Sequence, residues 1–426
     1  MKTAPRKLLD VREAAFNGRK ASTRCLQCRG AKMLCGKDRC PVMVKFYSSV
    51  KTRPLIDSTS LHGSTPPSVF VGRYGYPHVD IGPMVPPQQG DTALIDTPEQ
   101  WIGKNIDDIV DFRMQLVRGK YRNPVTNFSG KIVDFTREIA LAARSVDTEI
   151  TFSRKPRGSI ALYDEVQPHG PSAPIRKVWV ANPSVDHKIE KAFYDGDLKA
   201  SDAVLDLYRQ GVLISRIQKA FSVGAFGMED NRKFVPTRWS ITAVDSTIGH
   251  DIKERIKQYP YINECRVYET YGLDNRWLIL MYPAAYEYEL IEAWYPNTTW
   301  NPSQRNIVIF GDHVFYQGRT TYATIGGCYY AARLATAEAL DRERRQAGIV
   351  VLREAHPGYI MPVGVWNVRE NVREALRHPP HTFSTFQQAL GFVEQTMDIP
   401  LQRWIETSEL IRGRLYQRRL DDFWES

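Results

Sequence analysis

The chain has 426 residues, 42% hydrophobic, 11% aromatic and 25% charged, a composition that supplies a globular core and excludes a mainly disordered or fibrous polymer. Its longest apolar run, Trp277 to Tyr286, is ten residues and contains Pro283, against the roughly 20 that a membrane span needs. No apolar stretch follows the opening Met-Lys-Thr-Ala-Pro-Arg in the manner of a secretory signal, so the expectation is a cytoplasmic protein with no membrane partner.

Residues 1–53 form the first unit. They hold 14 Lys and Arg against Asp10, Glu13 and Asp38, so a net charge of +9 for the whole chain leaves the remainder slightly negative. Such a block attracts polyanions, of which nucleic acid is the commonest in a cytosol. Within it Cys25, Cys28, Cys35 and Cys40 are spaced C-x2-C-x6-C-x4-C, while Cys265 and Cys328 stand apart as ordinary buried thiols. In a chain without a secretory signal this reads as a four-thiolate metal site, with structural Zn²⁺ expected and an iron–sulfur cluster as the alternative. Gly30 and Gly36 serve tight turns beside the ligands, and Arg24, Arg29, Lys32, Lys37 and Arg39 offset the site's negative charge.

Residues 54–398 read as an α+β body, divisible into two subdomains. A strand is expected near 68–72, followed by a structured glycine-rich loop over 72–82 that carries Arg73, Tyr74, Tyr76, His78 and Asp80. Asp96 or Thr97 with Pro98 resembles a helix start. Helical periodicity predicts helices over 98–118, 130–145, 198–221, 327–347, 369–377, 383–396 and 400–412. Strand-like runs fall at 160–164, 176–181, 237–244, 265–271, 276–282 and 306–316. Strict alternation of helix and strand is absent, which favours α+β over a doubly wound sheet. Asp107, Asp108 and Asp111 share one helical side; they either complement the helix dipole or hold Mg²⁺ or Mn²⁺ for a nuclease. Asp245 and Glu269 are further acids of undecided role. Arg154, Lys155 and Arg157, and Arg176 and Lys177 beside Trp179, are basic–aromatic patches suited to a nucleic-acid backbone. The P-loop, H-E-x-x-H, G-x-S-x-G and G-x-G-x-x-G motifs are missing, so no catalytic residue is named.

A C-terminal helix is expected over 399–416, and then a flexible tail over 417–426. The tail ends Gln417-Arg-Arg-Leu420-Asp-Asp-Phe423-Trp424-Glu-Ser. Leu420, Phe423 and Trp424 place a cluster of large apolar side chains in one turn at a chain end, where residues are usually polar. The pattern resembles the peptide by which replication and repair proteins grip the sliding clamp PCNA. That resemblance implies Gln417 in a polar pocket and Leu420, Phe423 and Trp424 as a hydrophobic plug.

The four-cysteine cluster, Gly63-Ser-Thr-Pro-Pro-Ser-Val-Phe-Val-Gly-Arg-Tyr-Gly-Tyr-Pro77, Asp111-Phe-Arg-Met-Gln-Leu116 and Val235-Pro-Thr-Arg-Trp-Ser-Ile-Thr-Ala243 resemble segments of the archaeal Nre DNA repair proteins. The resemblance implies DNA damage repair and sliding-clamp binding, with DNA and other repair proteins as partners. It supplies no catalytic residue. It raises 63–82 and 235–243 as a functional surface, with Arg73, Tyr74, Tyr76, Arg238 and Trp239 as candidate DNA contacts. Two functions follow as expectations: a clamp-tethered, DNA-binding repair factor, or a metal-dependent nuclease or other DNA-processing enzyme.

Overall fold

The computed structural model describes residues 28, 32–37, 39–158, 167–301, 303 and 305–416. Cys25, the tail residues Gln417, Leu420, Phe423 and Trp424, and the strand expected over 160–164 lie outside the described residues.

Twelve α-helices and two six-stranded mixed sheets make up the described chain. In order these are α1 (Pro41–Thr52), β1 (Ser60–Thr65), β2 (Val69–Val71), β3 (His78–Val85), α2 (Ile106–Gln115), β4 (Val117–Pro124), α3 (Lys131–Leu141), β5 (Val146–Phe152), β6 (Ser172–Val180), α4 (His187–Tyr194), α5 (Ala200–Arg209), α6 (Ile214–Ser222) and α7 (Thr237–Ile256). There follow β7 (Cys265–Gly272), β8 (Asn275–Tyr282), β9 (Glu287–Trp294), β10 (Val308–Val314), α8 (Gly327–Glu343), β11 (Gly348–Ala355), α9 (Trp366–Ala375), β12 (His381–Phe383), α10 (Phe386–Thr396), α11 (Leu401–Thr407) and α12 (Glu409–Tyr416).

The first sheet runs β1-β5-β6-β4-β3-β2, with one parallel pair, β4 on β6. The second runs β10-β9-β11-β8-β7-β12, with β11 parallel to β9 and the other neighbours antiparallel. Strand β8 explains the apolar run read from the sequence. Its side chains alternate, Trp277, Ile279 and Met281 entering the large core with α7, α8 and α9, while Leu278, Leu280 and Tyr282 enter a second core. Helices α10 to α12 supply the other side of that second core with Leu390, Val393, Trp404 and Ile411. A sheet covered on both faces needs strands that are apolar throughout. The large core also holds Val79 and Ile81 of the first sheet, so the helices between the sheets share one interior.

Several expectations are corrected. The run 237–244 is the start of helix α7, not a strand. Ser240, Val244, Ile248, Ile252 and Ile256 are buried at four-residue spacing, and that stripe decides for helix over the β-branched character of Thr237, Ile241, Thr242 and Val244. The helix expected over 98–118 is a short 3₁₀ turn at Pro98–Gln100, helix α2 and the beginning of strand β4. The stretch 198–221 contains two helices separated at Gly211, whose φ is +77°.

Candidate nucleic-acid interface

Two segments far apart in sequence meet at the open end of the first sheet. The β2–β3 connection carries Arg73 to Pro77, and the first turn of α7 carries Arg238 and Trp239. The backbone N–H of Val71 donates to Thr237 Oγ1 at 2.8 Å, which ties strand β2 to the helix start. Beside that tie, the rings of Tyr76 and Trp239 lie 5.3 Å apart between centroids at 51°. Both are about half exposed, Tyr76 49% and Trp239 46%. Large aromatic surface left in water forgoes burial energy of roughly 1.5–3 kcal/mol per side chain, which makes an exposed pair a candidate contact surface.

The loop that presents Tyr76 is held from below. Gly75 has φ +77°, and the Arg122 guanidinium of β4 donates to the carbonyls of Tyr74 at 3.1 Å and Gly75 at 3.4 Å. Arg122 also lies 3.7 Å from Asp80. The Arg73 guanidinium sits 5.1 Å from the Tyr74 ring centroid, and Tyr74 is 67% exposed. Arg238 is exposed. The surface therefore combines three exposed rings with cationic side chains, the chemistry that stacks bases and follows phosphates.

A buried latch supports β2. Asp96 is fully buried and binds Lys219 at 2.8 Å and Arg113 at 3.2 Å, and it accepts from Ser68 Oγ. Burial alone would raise this carboxyl, but the charges of Lys219 and Arg113 overcome it and hold the group below the usual carboxylate range.

The basic N-terminal segment docks on α2. Cys28 is buried, and Cys35 and Cys40 are half-buried. Gly36 turns with φ +73° against Asn297, and the Cys40 carbonyl accepts from Val44 N–H at 3.1 Å to open α1. Lys37 is buried and donates to the Ile360 carbonyl at 3.1 Å. Val44 packs against the cluster of Val110, Met114, Ile360 and Met361. Arg39 forks onto Asp107 at 2.8 and 2.9 Å, and Lys51 binds Asp111 at 2.6 Å. Asp108 completes a capping box with Asn105. The three acids weighed as a Mg²⁺ site are thus engaged as clasps and a cap. Asp245 is fully buried and bound to Arg369 at 2.9 and 3.0 Å, and Glu269 lies 3.5 Å from His381.

Family models described as Archaeal Nre, N-terminal, and Archaeal Nre, C-terminal, match residues 34–301 and 315–423. The chain belongs to the archaeal Nre family. It is 43% identical to DNA repair protein NreB of Archaeoglobus fulgidus over 401 residues, covering 94% of this chain and 99% of that protein. DNA repair protein NreA of the same organism is 37% identical over 87% of this chain and 92% of its own length. NreA of Haloferax volcanii is 35% identical over 84% and 88%. No solved structure matches the chain.

Three side chains of this Nre chain come together that sequence reasoning missed. Among the described residues, Glu354, His356 and Asp398 offer ligand atoms within 4.8 Å of one another. The signal was present in β11, where Arg353 and Glu354 interrupt an otherwise apolar strand whose every residue is buried. A cleft of about 560 Å³ lies nearby, lined by Trp101, Tyr271, Asp274, Trp366 and Asn371 among others. No helix among the described residues is long and apolar enough to cross a membrane.

Proposed function

We propose that the chain is a DNA repair factor that grips DNA through the Tyr76–Trp239 surface and is tethered to a sliding clamp by its C-terminal peptide. The observation that carries the first part is the 5.3 Å pairing of Tyr76 with Trp239, which joins the two segments singled out by family resemblance into one exposed aromatic and basic face. The names of the relatives, all DNA repair proteins, support the repair role. The tail pattern Gln417, Leu420, Phe423 and Trp424 supports the clamp. Tethering raises the local concentration of protein on DNA, so weak intrinsic affinity suffices. In this reading Cys25, Cys28, Cys35 and Cys40 hold a structural Zn²⁺ that shapes the basic segment.

The test is DNA affinity measured over a range of salt. Arg238→Ala lowers affinity and reduces the salt slope by about one; an unaltered slope contradicts the assignment of Arg238 to phosphate. Deleting residues 417–426 abolishes clamp capture while leaving DNA affinity in place, and undiminished capture contradicts the tether. The nuclease alternative would draw first on Asp107 and Asp111, which stand in exposed ion pairs with Arg39 and Lys51; metal-dependent cleavage that vanishes in Asp111→Ala would favour it.

A further inference from the structure

We propose that Glu354, His356 and Asp398 bind one divalent transition-metal cation, at a site separate from the cysteine cluster. Strand β11 delivers Glu354 at its buried end and His356 just beyond it, and the link between α10 and α11 delivers Asp398. Two segments distant in sequence thus bring together one imidazole and two carboxylates, with one ligand atom from each residue within 4.8 Å of the others.

One spacing in the group matches two ligands of a single ion. His356 Nε2 lies 3.5 Å from Glu354 Oε2; Nδ1, on the other flank of the ring, lies 3.8 Å from Asp398 Oδ2, and one ion takes only one of the two nitrogens. The shielded Nε2 makes no hydrogen bond among the described residues, and a buried imidazole nitrogen left so is costly. Bonds of about 2.0–2.2 Å to a tetrahedral ion put neighbouring ligand atoms roughly 3.4 Å apart, close to the Nε2–Oε2 separation. A cation between them would satisfy the nitrogen and compensate a carboxylate that is fully buried.

The supporting contacts orient the ligands. Glu354 accepts from the backbone N–H of Asp398 at 3.2 Å and of Ile399 at 2.8 Å, which fixes its carboxylate against the loop that carries Asp398. The Tyr295 ring stacks on the imidazole with centroids 4.6 Å apart at 23°. Such outer contacts set ligand orientation at metal sites. Asp398 is 53% exposed and gives an ion a route from solvent. Arg276 is the competing cation, but its nearest nitrogens stand 4.0 Å from Glu354 Oε2 and from Asp398 Oδ1, and its Nε makes no hydrogen bond among the described residues. Arg276 therefore lowers the local negative charge without occupying the ligand positions. One nitrogen and two oxygens favour Mn²⁺, Fe²⁺ or Zn²⁺ over an all-oxygen Ca²⁺ site or a thiophilic Cu⁺ site.

Mn²⁺ is the probe, because it disfavours thiolates and its free aqua ion is counted by electron paramagnetic resonance. The full chain is first supplied with one equivalent of Zn²⁺, which the four thiolates take in preference to a nitrogen–oxygen site, and dialysed. The wild type takes up one Mn²⁺ per chain. Asp398→Asn and His356→Gln weaken that uptake by roughly tenfold or more, since loss of a supporting partner alone already costs that much at metal sites. Asp107→Asn/Asp111→Asn and Cys35→Ser leave it intact. Because Asp398 is half-exposed, an unchanged thermal midpoint for Asp398→Asn separates ligand loss from unfolding. No uptake by the wild type at millimolar Mn²⁺, or uptake indifferent to Asp398→Asn, overturns the proposal.

Discussion

Tyr76 and Trp239 face each other at 5.3 Å although one sits in a strand connection and the other on the first turn of a helix. The contact depends on the turn at Gly75. A Cβ there would come 2.0 Å from Arg122 Nη2, at a φ of +77°. Gly75→Ala therefore costs roughly 1–2 kcal/mol of backbone strain and also pushes Arg122 off the loop carbonyls. Gly90 has φ +96° and nothing near its missing Cβ. Gly90→Ala carries the strain alone. Fluorescence anisotropy with a labelled oligonucleotide should show weaker binding for Gly75→Ala and unchanged binding for Gly90→Ala, with similar losses in thermal stability.

Asp96 joins β2 to α2 and α6 through Ser68, Arg113 and Lys219. Asp96→Asn leaves two cations facing a neutral amide in a buried site. Breaking a buried pair in this way costs about 3–5 kcal/mol. Urea denaturation should register that loss as a lower midpoint.

The cysteine cluster should hold one Zn²⁺ per chain by elemental analysis, with Cys35→Ser releasing it. An iron–sulfur cluster would instead colour the protein and carry iron. The Arg39–Asp107 and Lys51–Asp111 pairs are substantially exposed and are each worth less than about 1 kcal/mol. Chelation should therefore free the basic segment to proteolysis while the cores around Trp277 and Trp404 keep their cooperative melting.

His169 supplies an acid-sensitive element. Burial, and then the Arg118 charge, push its imidazole down to about 4. An unfolded imidazole titrates near about 6.5, so between these values the unfolded chain binds the extra proton. The stability from His169 is complete above that range and drains away as the pH falls through it, at up to about 1.4 kcal/mol per pH unit. Thermal midpoints between pH 7 and pH 4 should fall less steeply for His169→Gln than for the wild type.

Elements with strong local patterns were legible. The apolar run of β8 and the amphipathic stretches of α3 and α10 were each placed within a few residues, while α5 and α6 were read as one helical stretch because the break at Gly211 was missed. Strand β4, Val117-Arg-Gly-Lys-Tyr-Arg-Asn-Pro, was not, because its partly exposed residues are polar and its burial comes from pairing with β3 and β6. The N-terminal turns of α7 were misread because β-branched residues outweighed the four-residue stripe. Both halves of the aromatic face were singled out in the sequence, yet their meeting was not, since a contact between a strand connection and a helix start has no local signature. The Glu354, His356 and Asp398 group escaped because Asp398 arrives on the link between α10 and α11, which meets the end of β11 only in the fold.

In the proposed function the Tyr76–Trp239 surface grips DNA. Its most direct test is the affinity of the full chain for single-stranded and duplex oligonucleotides, wild type against Tyr76→Ala/Trp239→Ala, at matched salt. Loss of base stacking predicts weakening by about 1–3 kcal/mol for each base released, with the thermal midpoint nearly unchanged because both rings are half exposed. Equal affinity of the double variant and the wild type for every oligonucleotide would contradict the claim.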